Sequence, residues 1–158
     1  VPRQPWRRSR VHVCDGAAFV VELAAAAPPG FGYDVVIIDC AVPDLPEPFV
    51  RNDFLSGLEA LLQPAAGVAI NLPNASPAYA SEISSTFQSV TRGTAFSVRT
   101  PILEGANTVL GFSTQPISGN VKESLLESGD SVRGATDTKF SLARRVGTSF
   151  VEGSIAKP

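Results

Sequence analysis

Two aspartates in the first 40 residues each follow directly on a short run of residues with high β propensity. Asp39 ends the run 35–38, and the Asp15-Gly16 pair follows the run 11–14. In open α/β sheets, ligands bind at the edge where the strands end and the loops begin. A carboxylate at that edge can contact a ligand, but Asp39 can equally cap the turn that follows it, and the sequence leaves both interpretations open.

The elements that position these aspartates alternate between strands and helices. Residues 35–38 are four consecutive aliphatic side chains, which predicts a strand buried on both faces within a parallel sheet. A helix is predicted over 17–27, a second helix begins after Asn52 or Asp53, and a third strand covers 68–72. This order favours a parallel sheet with right-handed crossovers. Asn71, near the end of the third strand, either lines the same edge or caps the strand.

The rest of the chain gives weaker patterns. A Pro-rich loop over 41–50 is predicted to form a stiff wall or lid, because proline fixes φ. A weaker helix is predicted over 77–90, and the runs 95–99 and 108–113 predict an antiparallel hairpin at the edge of the sheet. Beyond Gln115 the composition turns polar, with short helices predicted over 121–126 and 140–145 and no regular structure over 127–138. We therefore divide the chain into a basic arm (1–10), an α/β domain (11–115) and a polar extension (116–158).

Composition excludes several classes of function. The 158 residues are enough for one domain with a real core, and 44% apolar with 18% charged residues is ordinary for a soluble fold. The formal net charge of -2 gives no direct signature of nucleic-acid binding, and no apolar run has the roughly 20 residues that a membrane span needs. One histidine and two cysteines provide no metal-ligand spacing, and Cys14 and Cys40 are expected to be small buried residues.

The first ten residues are basic. They contain Arg3, Arg7, Arg8 and Arg10 and no acid, and the sequence contains no methionine. This composition is typical of an organellar targeting region or its remnant, in a mitochondrion or plastid, and a plain basic arm on a cytoplasmic protein is the alternative.

The order of these motifs resembles the spermidine synthase group. That group comprises aminopropyltransferases and related methyltransferases that use S-adenosylmethionine or its derivatives. The resemblance is carried by Asp15-Gly16 before a helix, Y-D-V-V-I-I-D at 33–39, a Pro-bearing loop, F-L-x-x-L-x-x-L-L at 54–62 and G-V-A-I-N-L at 67–72. The closing segments A-F-S-V-R-T and N-T-V-L-G-F are similar to the edge hairpin that ends this fold. The resemblance implies a partial Rossmann-like methyltransferase fold, with a mostly parallel sheet and a C-terminal antiparallel edge hairpin.

Site residues follow from the resemblance, position by position. Asp15 and Gly16 match the family's turn that reads the adenine of the nucleoside cofactor. Asp39 matches the acid beside the amine being alkylated, where a carboxylate can hold and deprotonate the amine. The family continues that strand as D-S-S-D-P, whereas this chain has Cys40 and Ala41 in place of the polar pair and reaches its next acid only at Asp44. Polyamine recognition is therefore less well matched than methyl transfer.

The sequence lacks the two strands and the glycine-rich turn that precede the Asp-Gly turn in the family. In the family's strand order those two strands lie between the strand 11–14 and the strand 35–38. We therefore expect either another chain to supply them or the strand 11–14 to pair directly with 35–38, because a monomer with an open gap leaves backbone groups unpaired.

Two hypotheses of function follow. In the first, the chain is a non-catalytic accessory or structural subunit of a larger assembly, with other protein subunits as partners and no cofactor for the chain alone. In the second, it is an S-adenosylmethionine-dependent methyltransferase or aminopropyltransferase whose cofactor-binding half is supplied by another chain or lies outside this sequence. The sequence favours the first.

Overall fold

The computed structural model describes residues 10–40, 42, 44–102, 105–136 and 150–151. The helices are α1 (Gly16–Ala26), α2 (Asn52–Ala60), α3 (Pro77–Thr91) and α4 (Val121–Thr136), with a short 3-10 helix at Glu47–Val50. The strands are β1 (Tyr33–Asp39), β2 (Leu62–Pro73), β3 (Ala95–Ile102), β4 (Gly105–Ser113) and β5 (Phe150–Val151).

These strands form one mixed sheet in the order β1-β2-β4-β3-β5. β1 and β2 are parallel, whereas β4 is antiparallel to both β2 and β3, and β3 is antiparallel to β5. The predicted α/β class and the predicted antiparallel hairpin are therefore confirmed. The hairpin lies beside β2, so β4 occupies the centre of the sheet.

The core lies on one face of the sheet. Register brings Ile38, Ile70 and Leu110 side by side on neighbouring strands, and all three are buried. The predicted face of α2 packs against them, because its apolar side chains recur at the spacing of a helix. One cluster joins this face to residues from α1, α2 and α3, including Ala17, Phe54, Leu55, Leu58, Ile83 and Phe87.

The first predicted strand is wrong. Residues 11–14 form no strand, and the side chains of Val11 and Val13 are 89% and 98% exposed. A four-residue run gains little from β propensity without a neighbouring strand to complete its hydrogen bonds. As a result β1 is one of the two edge strands of the described sheet.

The predicted burial of residues 35–38 on both faces is also wrong for this chain. Ile38 is buried on the core face, whereas Val35 and Ile37 on the opposite face are 63% and 71% exposed. Of the arrangements considered from the sequence, direct pairing of residues 11–14 with β1 is therefore wrong, and no described strand pairs with the outer side of β1.

Several boundaries differ from the predictions. Leu62 begins β2 instead of ending α2, and α4 continues through residues 127–136, for which no regular structure was predicted. The helix predicted at 140–145 and the first nine residues lie outside the described residues. In the part of the chain that the structure describes, no helix is both long and apolar enough to cross a membrane.

Candidate functional site

Asp39 lies at the end of β1 beside Asn71 of β2. The two are register partners across the parallel pair, and Asn71 Nδ2 donates a hydrogen bond of 2.8 Å to Asp39 Oδ1. Asp39 is exposed and Asn71 is partly buried. Of the two interpretations of Asn71, lining the same edge as Asp39 is therefore the one observed.

The other end of the Asn71 amide is unusual. Asn71 Oδ1 is buried, and it has no hydrogen-bond partner among the described residues. The orientation of the amide is set by the carboxylate, which accepts and cannot donate when it is ionised. A buried acceptor left without a donor costs about 1–3 kcal/mol, so this strand end carries a polar group whose hydrogen bonding is incomplete.

Cys40 follows Asp39 and contacts the core. Burial, and secondly the negative charge of Asp39, raise the pKa of the Cys40 thiol. Because the thiolate is the nucleophile, the raised pKa makes Cys40 a poor one. The side chain of Cys40 is partly buried, so the expectation that it is a small buried residue is met in part. It is wrong for Cys14, which is exposed because residues 11–14 do not join the sheet.

Asp15 acts as the N-cap of α1. Its Oδ1 accepts a hydrogen bond of 2.8 Å from the Ala18 N–H, which satisfies one of the free donors at the start of the helix. Gly16 is the first helical residue and is not among the residues with positive φ. A Cβ on Gly16 would meet only the Phe49 ring at an ordinary 3.5 Å, so this position has no need for glycine.

A surface cleft of about 350 Å3 lies beside Asp15. Arg51 and Asp53, two of its lining residues, form an exposed salt bridge of 2.9 Å. Of the two predicted acids, only Asp15 lines this cleft, and Asp39 does not. The cleft is formed by α1, the 3-10 helix and the start of α2, through Asp15, Ala17, Ala18, Val21, Glu22, Pro48, Arg51, Asp53 and Phe54.

Tyr79 holds the Pro-rich loop against α3. Its hydroxyl accepts a hydrogen bond of 2.8 Å from the Leu45 N–H and lies 3.3 Å from the Leu45 carbonyl oxygen, to which it donates. Burial raises the pKa of Tyr79, the hydrogen bond to Leu45 opposes this shift, and the charges of Asp44 and Glu82 add to it. Leu45 itself is buried. The loop is therefore attached to α3 at Leu45. Sequence reasoning missed Tyr79, because no local pattern pairs residues 34 positions apart.

Comparison with known proteins supports the fold and goes no further. A probable spermidine synthase from Corynebacterium glutamicum has a similar solved structure, with a TM-score of 0.55 and 18% sequence identity. The fold is spermidine synthase-like. The match covers 76% of this chain but only 44% of the bacterial chain, so this chain corresponds to less than half of that protein. No protein-family model matches the chain, and no curated protein matches it.

Proposed function

We propose that this chain is a non-catalytic structural or accessory subunit with a spermidine synthase-like fold, working within a larger protein assembly. The observation that carries this proposal is the use of Asp15 as the cap of α1, beside a cleft that Asp39 does not line. Fold likeness alone does not license an activity, so the site must carry the argument.

The strand end at Asp39 supports the same conclusion. One oxygen of its carboxylate already accepts from Asn71, and burial and the charge of Asp39 raise the pKa of the neighbouring Cys40 thiol. A catalytic base must reach the proton that it removes within hydrogen-bond distance. Asn71 occupies part of the hydrogen-bonding capacity that Asp39 would need to hold a substrate amine.

A second candidate function is an S-adenosylmethionine-dependent methyltransferase or aminopropyltransferase completed by further polypeptide. It is favoured by the position of Asp39 at the carboxyl end of β1, parallel to β2, where open α/β sheets bind ligands. In that function Asp39 would hold the amine, and Asp15 and Gly16 would contact the nucleoside. Against this function, Asp15 Oδ1 is already engaged in capping α1, and Asp39 does not line the cleft beside Asp15.

Titration calorimetry separates the two functions. We expect no saturable heat when S-adenosylmethionine or methylthioadenosine is added to the purified chain, under conditions in which an active spermidine synthase gives a clear isotherm. Saturable 1:1 binding that is weakened by both Asp39→Asn and Asp15→Asn would overturn the proposal in favour of the transferase. Binding unaffected by either substitution would locate a nucleoside site elsewhere and would also contradict the proposal.

A further inference from the structure

We propose that β5 is a detachable guard strand, which closes the outer edge of β3 against a further strand. The pairing of β5 with β3 is antiparallel and short, with Ser97 opposite Val151 and Val98 opposite Phe150. In the strand order β1-β2-β4-β3-β5, this edge lies at the opposite side of the sheet from β1. The role of β5 is independent of nucleoside binding and so goes beyond the proposed function.

The direction of the backbone groups on β3 follows from one hydrogen bond at its start. The Ser113 N–H donates to the Thr94 carbonyl oxygen over 2.9 Å, and this pair continues the register of β3 with β4 by one residue. Successive residues of an antiparallel strand direct their backbone groups alternately to its two sides, so Phe96 and Val98 also face β4. Ser97, which lies between them, therefore directs its N–H and its carbonyl oxygen to the outer edge.

β5 takes up these outward groups of Ser97. Val151 lies directly opposite Ser97, and opposite residues that face each other in an antiparallel pair exchange two backbone hydrogen bonds. Val98 faces β4, so its pairing with Phe150 is of the kind that exchanges no backbone hydrogen bond. The two described residues of β5 are therefore held to β3 by the backbone groups of a single pair.

A proline closes the next part of the same edge. Pro101 lies four residues after Ser97 in an uninterrupted register, so it also faces outwards, where it has no N–H to donate. Natural sheets tolerate proline on edge strands in this orientation, because no hydrogen bond of the ladder is lost. Together β5 and Pro101 leave β3 without the continuous row of outward donors that a further strand would need.

β5 is short enough to open while the rest of the sheet stays folded. It has two residues, whereas β3 pairs with β4 over its full length of eight. Local openings that break few hydrogen bonds are populated at free energies well below that of global unfolding. An opening of β5 would free the outward groups of Ser97, and an edge strand with free backbone groups is a template for another strand. β5 is therefore the part of this edge on which its protection depends.

Amide hydrogen exchange of the whole chain tests the pairing and its independence from the sheet. We expect the Ser97 amide to exchange at least about tenfold more slowly in the parent than in Val151→Pro, which lacks the N–H that β5 donates. The Phe96 and Val98 amides should exchange about 100-fold more slowly than that of Ser97, and should stay protected in Val151→Pro, because they face β4. Val151→Ala keeps its N–H and is the matched control, in which Ser97 should exchange within about threefold of the parent.

Sedimentation equilibrium tests the protection of the edge. Val151→Pro should raise the association constant of the chain by about tenfold or more, because it frees the edge of β3. The double variant Ser97→Pro, Val151→Pro also removes the outward N–H of β3, and should return the constant to within about threefold of the parent. β1 is the same in all these proteins, so it cannot cause a difference between them.

Equal exchange of Ser97 in the parent and in Val151→Pro would overturn the proposal, because β5 would then not cover the edge. Exchange of Ser97 as slow as that of Phe96, or a loss of Phe96 protection in Val151→Pro, would make β5 an integral strand and would also overturn it. The same holds if Val151→Pro associates no more strongly than the parent, or if Ser97→Pro fails to reverse its association. No nucleoside takes part in these measurements, so their failure would leave the proposed function standing.

Discussion

Asn71 and Asp39 are joined by a side-chain hydrogen bond near the ends of the parallel strands β2 and β1. They are register partners on β2 and β1, and the bond from Nδ2 to Oδ1 measures 2.8 Å. This hydrogen bond explains why an acid and an amide are found near the ends of two strands that are otherwise mostly apolar. It also makes the two side chains dependent on each other, which mutation can measure.

Exchanging the two side chains tests this dependence. Asn71→Asp places two carboxylates opposite each other, so we expect the free energy of unfolding at pH 7 to fall by about 1–3 kcal/mol. The double variant Asp39→Asn, Asn71→Asp restores an amide facing a carboxylate and should recover most of that loss. Urea denaturation of the parent, Asn71→Asp and the double variant measures both effects.

The pH dependence of the single variant is the internal control. Below about pH 4, where one of its two carboxyls takes up a proton, the cost of Asn71→Asp should shrink. A cost that does not change between pH 7 and pH 3.5, or a swap that recovers nothing, would show that the two side chains do not interact in solution.

Tyr79→Phe tests the attachment of the Pro-rich loop. The substitution leaves the Leu45 N–H without its acceptor, and we expect the free energy of unfolding to fall by about 1–3 kcal/mol. Ser85→Ala removes another hydroxyl from α3, one that is exposed and bonds only within the helix, and should change stability by less than about 0.5 kcal/mol. Equal effects from the two variants would mean that the bridge to Leu45 contributes nothing.

The same tyrosine predicts a loss of stability at alkaline pH. Burial raises the pKa of Tyr79 in the folded state, so the unfolded chain releases this proton at lower pH than the folded chain does. The resulting contribution is complete below about pH 10 and is lost as pH rises through the folded pKa. Between pH 8 and 11, the free energy of unfolding of Tyr79→Phe should therefore fall less steeply with pH than that of the parent. A parallel decline in both proteins would rule this out.

The two cysteines should differ in reactivity. Cys14 is exposed, whereas burial and the adjacent Asp39 raise the pKa of Cys40. With a thiol-disulfide reagent at pH 8, we expect a fast phase that Cys14→Ser removes and a phase slower by about tenfold or more from Cys40. Asp39→Asn should quicken the slow phase modestly, since burial is the larger cause of the raised pKa. If Cys40 reacted as fast as Cys14, the packing of the loop after β1 would be wrong.

Gly111 in β4 is required by the ring of Phe96 on β3. A Cβ at position 111 would clash with the ring of Phe96, and the two residues are register partners. Gly111→Ala should therefore destabilise the fold by about 1–3 kcal/mol. In a background of Phe96→Ala the same change should cost much less, and a double-mutant cycle by urea denaturation gives the coupling. Additive effects would contradict the close contact.

Most of the regular structure was predictable because it follows from local periodicity. The apolar spacing of α2 and the aliphatic run of β2 specify both the element and its buried face. The position of a strand within the sheet has no such local signature, since Val35 and Ile37 look the same in sequence whether a neighbour covers them or not. The run 11–14 failed for the same reason, because its β propensity needs a partner strand. The prediction for the second half of α4 failed for a different reason. Residues 127–136 are polar and carry no apolar stripe that would indicate a helix.

The candidate site was predictable only in part. Asp39 at a strand end and its placement beside Asn71 follow from the parallel order of β1 and β2. The role of Asp15 did not follow, because an aspartate before a helix serves equally as a cap or as a ligand contact, and the structure uses it as a cap. The hydrogen bond between Tyr79 and Leu45 could not be predicted, because the two residues belong to different elements.

Amide chemical shifts measured while S-adenosylmethionine is added to the isotopically labelled chain test the central claim most directly. The account predicts that the chemical shifts of the amides of residues 16–18 and 39–40 do not change, because Asp15 is engaged in capping α1 and Asp39 in a hydrogen bond with Asn71. Saturable shifts of both groups with one shared dissociation constant would show that they form a single nucleoside site, and would contradict it.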